Sequence, residues 1–181
     1  MEFKELELKG VYLIKPVIHR DERGYFFESF RQDLFEKHIG KIDFIQDNES
    51  FSKKGVFRGL HYQKYPKAQS KLVRVVKGRI IDIVLDLRKN SSTFLKYIMI
   101  ELSDENKHQL FIPKGFAHGF YTVSDYAIVH YKVDEYYFPE YEGGINVRSL
   151  QDYANAIQEN ALILSQKDKA FPVINDIEPL T

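Results

Sequence analysis

The chain has 181 residues, and 26 Lys plus Arg balance 26 Asp plus Glu, so its formal net charge is zero. That length suits one domain, and the even balance excludes the overall basic footprint of a nucleic-acid binder. With no cysteine and no long apolar run, disulfides, thiolate catalysis, cysteine-held metal and a membrane-spanning helix are excluded as well.

In chain order, the start Met1-Glu2-Phe3-Lys4-Glu5 lacks the basic-then-apolar layout of a signal peptide, so a cytoplasmic protein is expected. Short apolar runs between turn signals predict strands over Val11–Ile18, Tyr25–Phe30, Phe44–Gln46, Val56–Tyr62, Lys71–Val76, Arg79–Leu87, Phe94–Leu102, Gln109–Ile112, Gly119–Val123 and Tyr126–Val133. Fourteen Phe and twelve Tyr favour such pleated, half-buried surfaces. A helix is expected over Arg31–Ile39, where Leu34, Phe35 and Ile39 fall at helical spacing before Gly40. The Lys77-Gly78 step predicts a hairpin joining Leu72–Val76 to Arg79–Leu87. In its second arm Ile81, Ile83, Leu85 and Leu87 alternate with Asp82, Val84 and Asp86, which predicts one buried face. Ser149–Leu164 carries a partly helical pattern, within a C-terminal helical extension of about residues 149–181. Many short strands predict a single all-β domain, an antiparallel sandwich or barrel with short flanking helices.

Several side chains could carry chemistry. His61 lies in Gly55-Val56-Phe57-Arg58-Gly59-Leu60-His61-Tyr62-Gln63, where a glycine within the strand permits a bend or a close ligand approach. Arg58 is either a bidentate phosphate ligand or a surface arginine on a bulged strand. Lys71 shares a face with Val73 and Val75, so it either snorkels at the strand end or serves an anion. In Tyr126–Val133, parity groups Tyr131 with Ala127, Val129 and Val133 on the inner face and turns His130 outward. His118 lies near the barrel mouth or packs between Phe116 and Phe120. Asp168 could orient a histidine or simply form a turn.

Seven segments together resemble the dTDP-4-dehydrorhamnose 3,5-epimerase family of nucleoside-diphosphate 4-keto-6-deoxysugar epimerases. They are Asp21–Phe30, Gln46-Asp47-Asn48, Arg58–Gln63, Lys71–Arg74, Ile112–Phe120, Tyr131-Lys132 and Leu164–Asp168. The resemblance implies a cupin-like double-stranded β-helix, or jelly roll, working as a homodimer that exchanges N-terminal strands. It also implies a nucleotide-sugar substrate and no cofactor or metal. His61 would be the base, with Asp168 behind it, Tyr131 the acid, and Lys71 the partner of the enolate oxygen. Arg58 would hold the diphosphate, and His118 would lie beside the sugar. Arg23, Phe26 and Glu28 would reach across the dimer, Gln46 and Asn48 would contact the nucleotide, and Tyr136 would stack on the base. Between Ile145 and Ile157 the chain departs from the family's tryptophan pattern. Relatives that invert one carbon, or act on GDP-linked 4-keto heptoses, define alternative substrates. A metal-dependent cupin is disfavoured because His61-Tyr62-Gln63 lacks a second histidine. A non-catalytic sugar-nucleotide binding module would not need the acid–base set.

Regular alternation would place Arg58 and His61 on opposite faces. For both to enter one pocket, Gly59 must bend or bulge the strand.

Overall fold

The computed structural model describes residues 1–151, 157 and 162–180. In order, the strands are β1 (Glu2–Glu5), β2 (Tyr12–Lys15), β3 (His19–Asp21), β4 (Gly24–Phe26), β5 (Gln46–Lys53), β6 (Phe57–Gln63), β7 (Lys71–Lys77), β8 (Arg79–Asp86), β9 (Tyr97–Ser103), β10 (Gln109–Ile112), β11 (Phe116–Thr122), β12 (Tyr126–Val133) and β13 (Glu142–Gly144). Helix α1 (Gln32–His38) interrupts them early, and the short helix α2 (Gln166–Ala170) follows them. No helix among the described residues is long and apolar enough to cross a membrane.

Two antiparallel sheets make the jelly roll. One runs β1-β2-β10-β7-β12-β5 and the other β13-β6-β11-β8-β9, while β3 and β4 form a separate hairpin. Between the sheets, Val73 and Val75 meet Ile80, Val84, Phe116, Phe120, Ala127 and Val129 in a closed apolar layer. At roughly 1.5–3 kcal/mol for each large apolar side chain buried, this layer is the main hold between the sheets.

The expected hairpin of Leu72–Val76 with Arg79–Leu87 does not form. Strand β7 pairs with β10 and β12, whereas β8 pairs with β9 and β11, so the Lys77-Gly78 step carries the chain from one sheet to the other. The single buried face expected for this strand is also corrected. Ile83, Leu85 and Leu87 are buried, but against Ile145, Val147, Leu164 and Leu180, where later chain covers the outside of the sheet. Asp82, Val84 and Asp86, on the opposite face, are buried too, and Val84 lies between the sheets. Both faces are covered, so polarity does not mark solvent here.

Helix α1 forms where spacing predicts it. Its Phe35 is buried against Phe3, Phe30, Phe44 and Phe111 on the outside of the first sheet. The expected helical pattern of Ser149–Leu164 falls largely outside the described residues.

Candidate active site

The expected bulge is present. His118 pairs with His61 and Phe120 with Arg58, so three steps along β6 match two along β11. The added residue returns Arg58 and His61 to the same face, while Phe57, Leu60 and Tyr62 point into the outer cluster. Gly59, at φ +123°, takes a backbone conformation that side-chain-bearing residues rarely adopt.

A cavity of about 280 Å³ opens between the sheets, lined by Arg58 and His61 from β6, Lys71 from β7, His118 from β11, Tyr131 from β12, and Lys167 and Asp168 from α2. A neighbouring hollow of about 470 Å³ shares His61, Lys71, Tyr131 and Lys167 and adds Gln46, Asn48, Gln63, Tyr137 and Glu142. Of the anticipated residues, the fold therefore brings His61, Tyr131, Asp168, Lys71, Arg58, His118, Gln46 and Asn48 together.

His61 and Asp168 are in contact. The imidazole Nε2 lies 2.6 Å from an Asp168 carboxylate oxygen, and Phe171 meets the ring edge-on. Asp168 is positioned because Ser165 caps α2, accepting the Asp168 backbone N–H at 3.0 Å. Burial pushes the Asp168 carboxyl up, but hydrogen bonds from His61, Ser165 and the Gly59 backbone outweigh it and hold the group below its ordinary value. An ionised carboxylate can only accept, so it fixes the proton of neutral His61 on Nε2 and leaves Nδ1 as the basic nitrogen.

The other sheet supplies the phenol. Tyr131 sits on β12 opposite Asn48 and Val73, on the inward face with Val129. Burial raises its pKa, against an opposing pull from the Arg58 charge, so the hydroxyl remains protonated at neutral pH. Lys71 lies deep enough that burial draws its ammonium down to about 8, although the Asp82 and Glu142 carboxylates act to keep it charged. Arg58 is anchored to β5, donating from Nε to Ser52 Oγ at 2.9 Å and from Nη2 to the Phe51 carbonyl at 3.0 Å.

Other expected residues stand elsewhere in the chain. Arg23 and Phe26 line a separate hollow on the β3–β4 hairpin, and Glu28 lies near Arg31, outside the His61 cavity. Tyr136 lines neither site hollow and is 55% exposed, whereas the adjacent Tyr137 lines the outer one. The Tyr137 hydroxyl donates to Glu142 at 2.6 Å, and Lys167 pairs with the same carboxylate.

The sequence reading missed Asp82, Glu142, Lys167 and Ser50. Asp82 meets His118 inside the barrel, Glu142 pairs with Lys167 at the rim, and the buried Ser50 hydroxyl has no hydrogen-bond partner among the described residues. Parity along β5 could have found Ser50, since Gln46, Asn48, Ser50 and Ser52 share a face. Among the described residues, no three His, Asp or Glu side chains gather to hold a metal ion.

This geometry can remove a proton on one side of a bound molecule, deliver one on the other and stabilise negative charge between them. The family profile described as dTDP-4-dehydrorhamnose 3,5-epimerase matches residues 5–176. The chain is 47% identical over 172 residues to the enzyme of that name from Salmonella typhimurium, covering 93% of this chain and 92% of that one. The crystal structure of the same enzyme from Elizabethkingia anophelis superposes with a TM-score of 0.91 at 44% identity, covering 97% of both chains. A Legionella pneumophila relative, solved in complex with dTDP-4-keto-L-rhamnose, gives a TM-score of 0.89 at 41% identity, over 99% of this chain and 98% of that one. With its jelly roll and these likenesses, the chain belongs to the dTDP-4-dehydrorhamnose 3,5-epimerase family.

Proposed function

We propose that the chain inverts C3 and C5 of dTDP-4-dehydro-6-deoxyglucose, giving dTDP-4-dehydrorhamnose. The observation that carries this reading is the placement of His61, held by Asp168, and Tyr131 on two different sheets around one cavity. Protons on carbons beside the C4 ketone are acidic because the charge left behind moves onto the ketone oxygen. His61 Nδ1 takes the proton from one face. The Lys71 ammonium stabilises the enolate oxygen where charge develops. The Tyr131 phenol returns a proton to the opposite face, and both groups then re-equilibrate with water. Arg58 binds the diphosphate, Gln46 and Asn48 contact the nucleotide, and His118 lies beside the sugar. Tyr137, at the outer hollow, is better placed than Tyr136 to stack on the base. The reaction is redox-neutral, so no step in it calls for a cofactor.

The working unit is a cytoplasmic homodimer. The β3–β4 hairpin leaves Tyr25 and Phe26 51% and 66% exposed, with Arg23 beside them, which suits an arm that completes a partner's site. Sedimentation at micromolar concentration should give a dimer, and Phe26→Asp should shift it toward monomer.

Incubation with dTDP-4-dehydro-6-deoxyglucose in deuterium oxide should place deuterium at C3 and C5. Absence of exchange at both carbons would overturn the reading, and exchange at one alone would reduce it to a single inversion.

A further inference from the structure

Strands β3 and β4 pair with each other and with neither main sheet, so no ladder of backbone bonds ties this hairpin to the barrel. A two-stranded hairpin standing alone is marginally stable in water, and other contacts must fix its direction. Two buried polar side chains at the entry into β10 reach it. Lys107, 7% exposed, donates from Nζ to the Tyr25 hydroxyl at 2.9 Å and lies 4.4 Å from the centre of that ring. Gln109, 1% exposed, donates from Nε2 to the Ser29 carbonyl at 2.7 Å, where the chain has left the hairpin.

Lysine is seldom buried without a partner, because its ammonium gives up water. Lys107 also holds φ at +54°, a left-handed backbone that glycine or asparagine would take at less cost. The Asp104 carboxylate feels its charge but forms its ion pair with Lys77, at 2.8 Å. Among the described residues the hydrogen bond from the Lys107 ammonium goes to Tyr25 alone. Tyr25 is itself 51% exposed, so this bond ties down the hairpin rather than filling the core. Successive strand residues point to opposite sides, so holding Tyr25 on one side turns Phe26 to the other, next to Arg23 at the tip. We propose that Lys107 is a positioning residue for the partner's site: through Tyr25 it sets the direction in which Arg23 and Phe26 leave the barrel, with Gln109 holding the pivot at Ser29. This rests on the reading of the hairpin as an arm that completes a partner's site, and adds residues outside the cavity to it.

Lys107→Met keeps the apolar stem of the side chain and removes the cation. Mixed dimers, purified through two different tags and each with one working base, separate an effect on the arm from one on the barrel. Pairing a Lys107→Met chain with a His61→Asn chain leaves a working site that receives an intact arm. Pairing a chain that carries both changes with a wild-type chain leaves a working site that receives the loosened arm. With dTDP-4-dehydro-6-deoxyglucose, KM should rise at least about fivefold in the second pairing and stay within about twofold of wild type in the first. The kcat of the working site should stay within about threefold in both, because lost uniform binding raises KM without slowing the chemical step. Lys107→Arg, which keeps a cation over the ring, should recover most of the lost affinity. Tyr25→Phe removes only the hydroxyl of an exposed ring, so it should give a smaller rise confined to the same pairing, and it decides the question if Lys107→Met does not fold. An unchanged KM in the second pairing, or an equal rise in both, would overturn the proposal. The same two pairings made with Arg23→Ala test the arm itself. No one-sided effect there would remove the reading of the hairpin, whereas a one-sided effect with Arg23→Ala and none with Lys107→Met removes only the role of Lys107.

Discussion

Gly59 on β6 and Gly119 on β11 face each other so closely that a Cβ at Gly59 would lie 2.6 Å from Gly119 Cα. A Cβ at Gly119 would meet the Arg58 carbonyl oxygen at 2.7 Å and Phe57 Cζ at 3.0 Å. Backbone cannot yield as a flexible side-chain tip can. Gly119→Ala should therefore push β6 away and displace Arg58 and His61 together. The expected cost is about 1–3 kcal/mol in urea unfolding, in line with overpacking elsewhere. Deuterium wash-in should fall by more than the unfolded fraction explains, and unchanged exchange would mean that the bulge does not position the base.

Asp168 and His61 are separated by 107 residues in sequence yet meet at 2.6 Å. Asp168→Asn should let the imidazole proton move to Nδ1, the nitrogen needed as base. A drop of about 100-fold or more in kcat is expected from loss of general base catalysis. His61→Asn should abolish wash-in. Steady-state rates and NMR of the recovered sugar check both, and wild-type rates in Asp168→Asn would exclude it from holding the base.

The alkaline side of the pH profile should belong to Lys71. Its ammonium is drawn down to about 8 by burial, while burial keeps the Tyr131 phenol protonated well beyond that. Above pH 8 the cation facing the enolate oxygen is lost, so kcat/KM should fall about tenfold for each further pH unit. Stability should move the other way over the same range. The unfolded lysine, with pKa about 10.4, still binds its proton there, and the state that binds more protons loses ground as pH rises. Lys71→Arg should lower the rate and remove this limb, which a pH series of kcat/KM would reveal.

Asp86 gives an acid-side test remote from the cavity. Burial pushes its carboxyl up, but bonds from Arg88, Ser91 and Thr93 prevail and hold it at about 2. A depressed acid contributes stability above its unfolded pKa of about 3.9 and loses it as pH falls toward 2. The contribution at neutral pH is on the order of 2 kcal/mol. Asp86→Asn should lower the urea midpoint at pH 7 and flatten its fall between pH 4 and 2, without changing the proton-exchange pattern in the sugar.

Much of the site was legible because alternation along a strand is a local property. Val73 and Val75 place Lys71 inside, and Val129 places Tyr131 inside, without reference to any partner strand. The Arg58–His61 conflict was legible as a conflict, and its resolution at Gly59 followed from geometry. Asp82 was lost because its alternation with Ile81 and Ile83 resembles a strand with one wet face. Only the covering residues Ile145, Val147, Leu164 and Leu180 show that both faces are dry. The β7–β8 step was misread for a related reason: Lys77-Gly78 permits a reversal, but which sheet each strand joins depends on distant β10 and β9. Arg23, Phe26 and Glu28 could not be placed by one chain's pattern, since they stand away from its own His61.

The dyad between the second half of β6 and the short helix α2 sets a point in the protein's synthesis before which the base has no anchor. A ribosome must build past residue 168 before His61 acquires its anchor, when both sheets have long been complete in sequence. Copies clipped between Gly144 and Asp168 would hold every strand of both sheets while lacking the carboxylate that fixes the tautomer of the base.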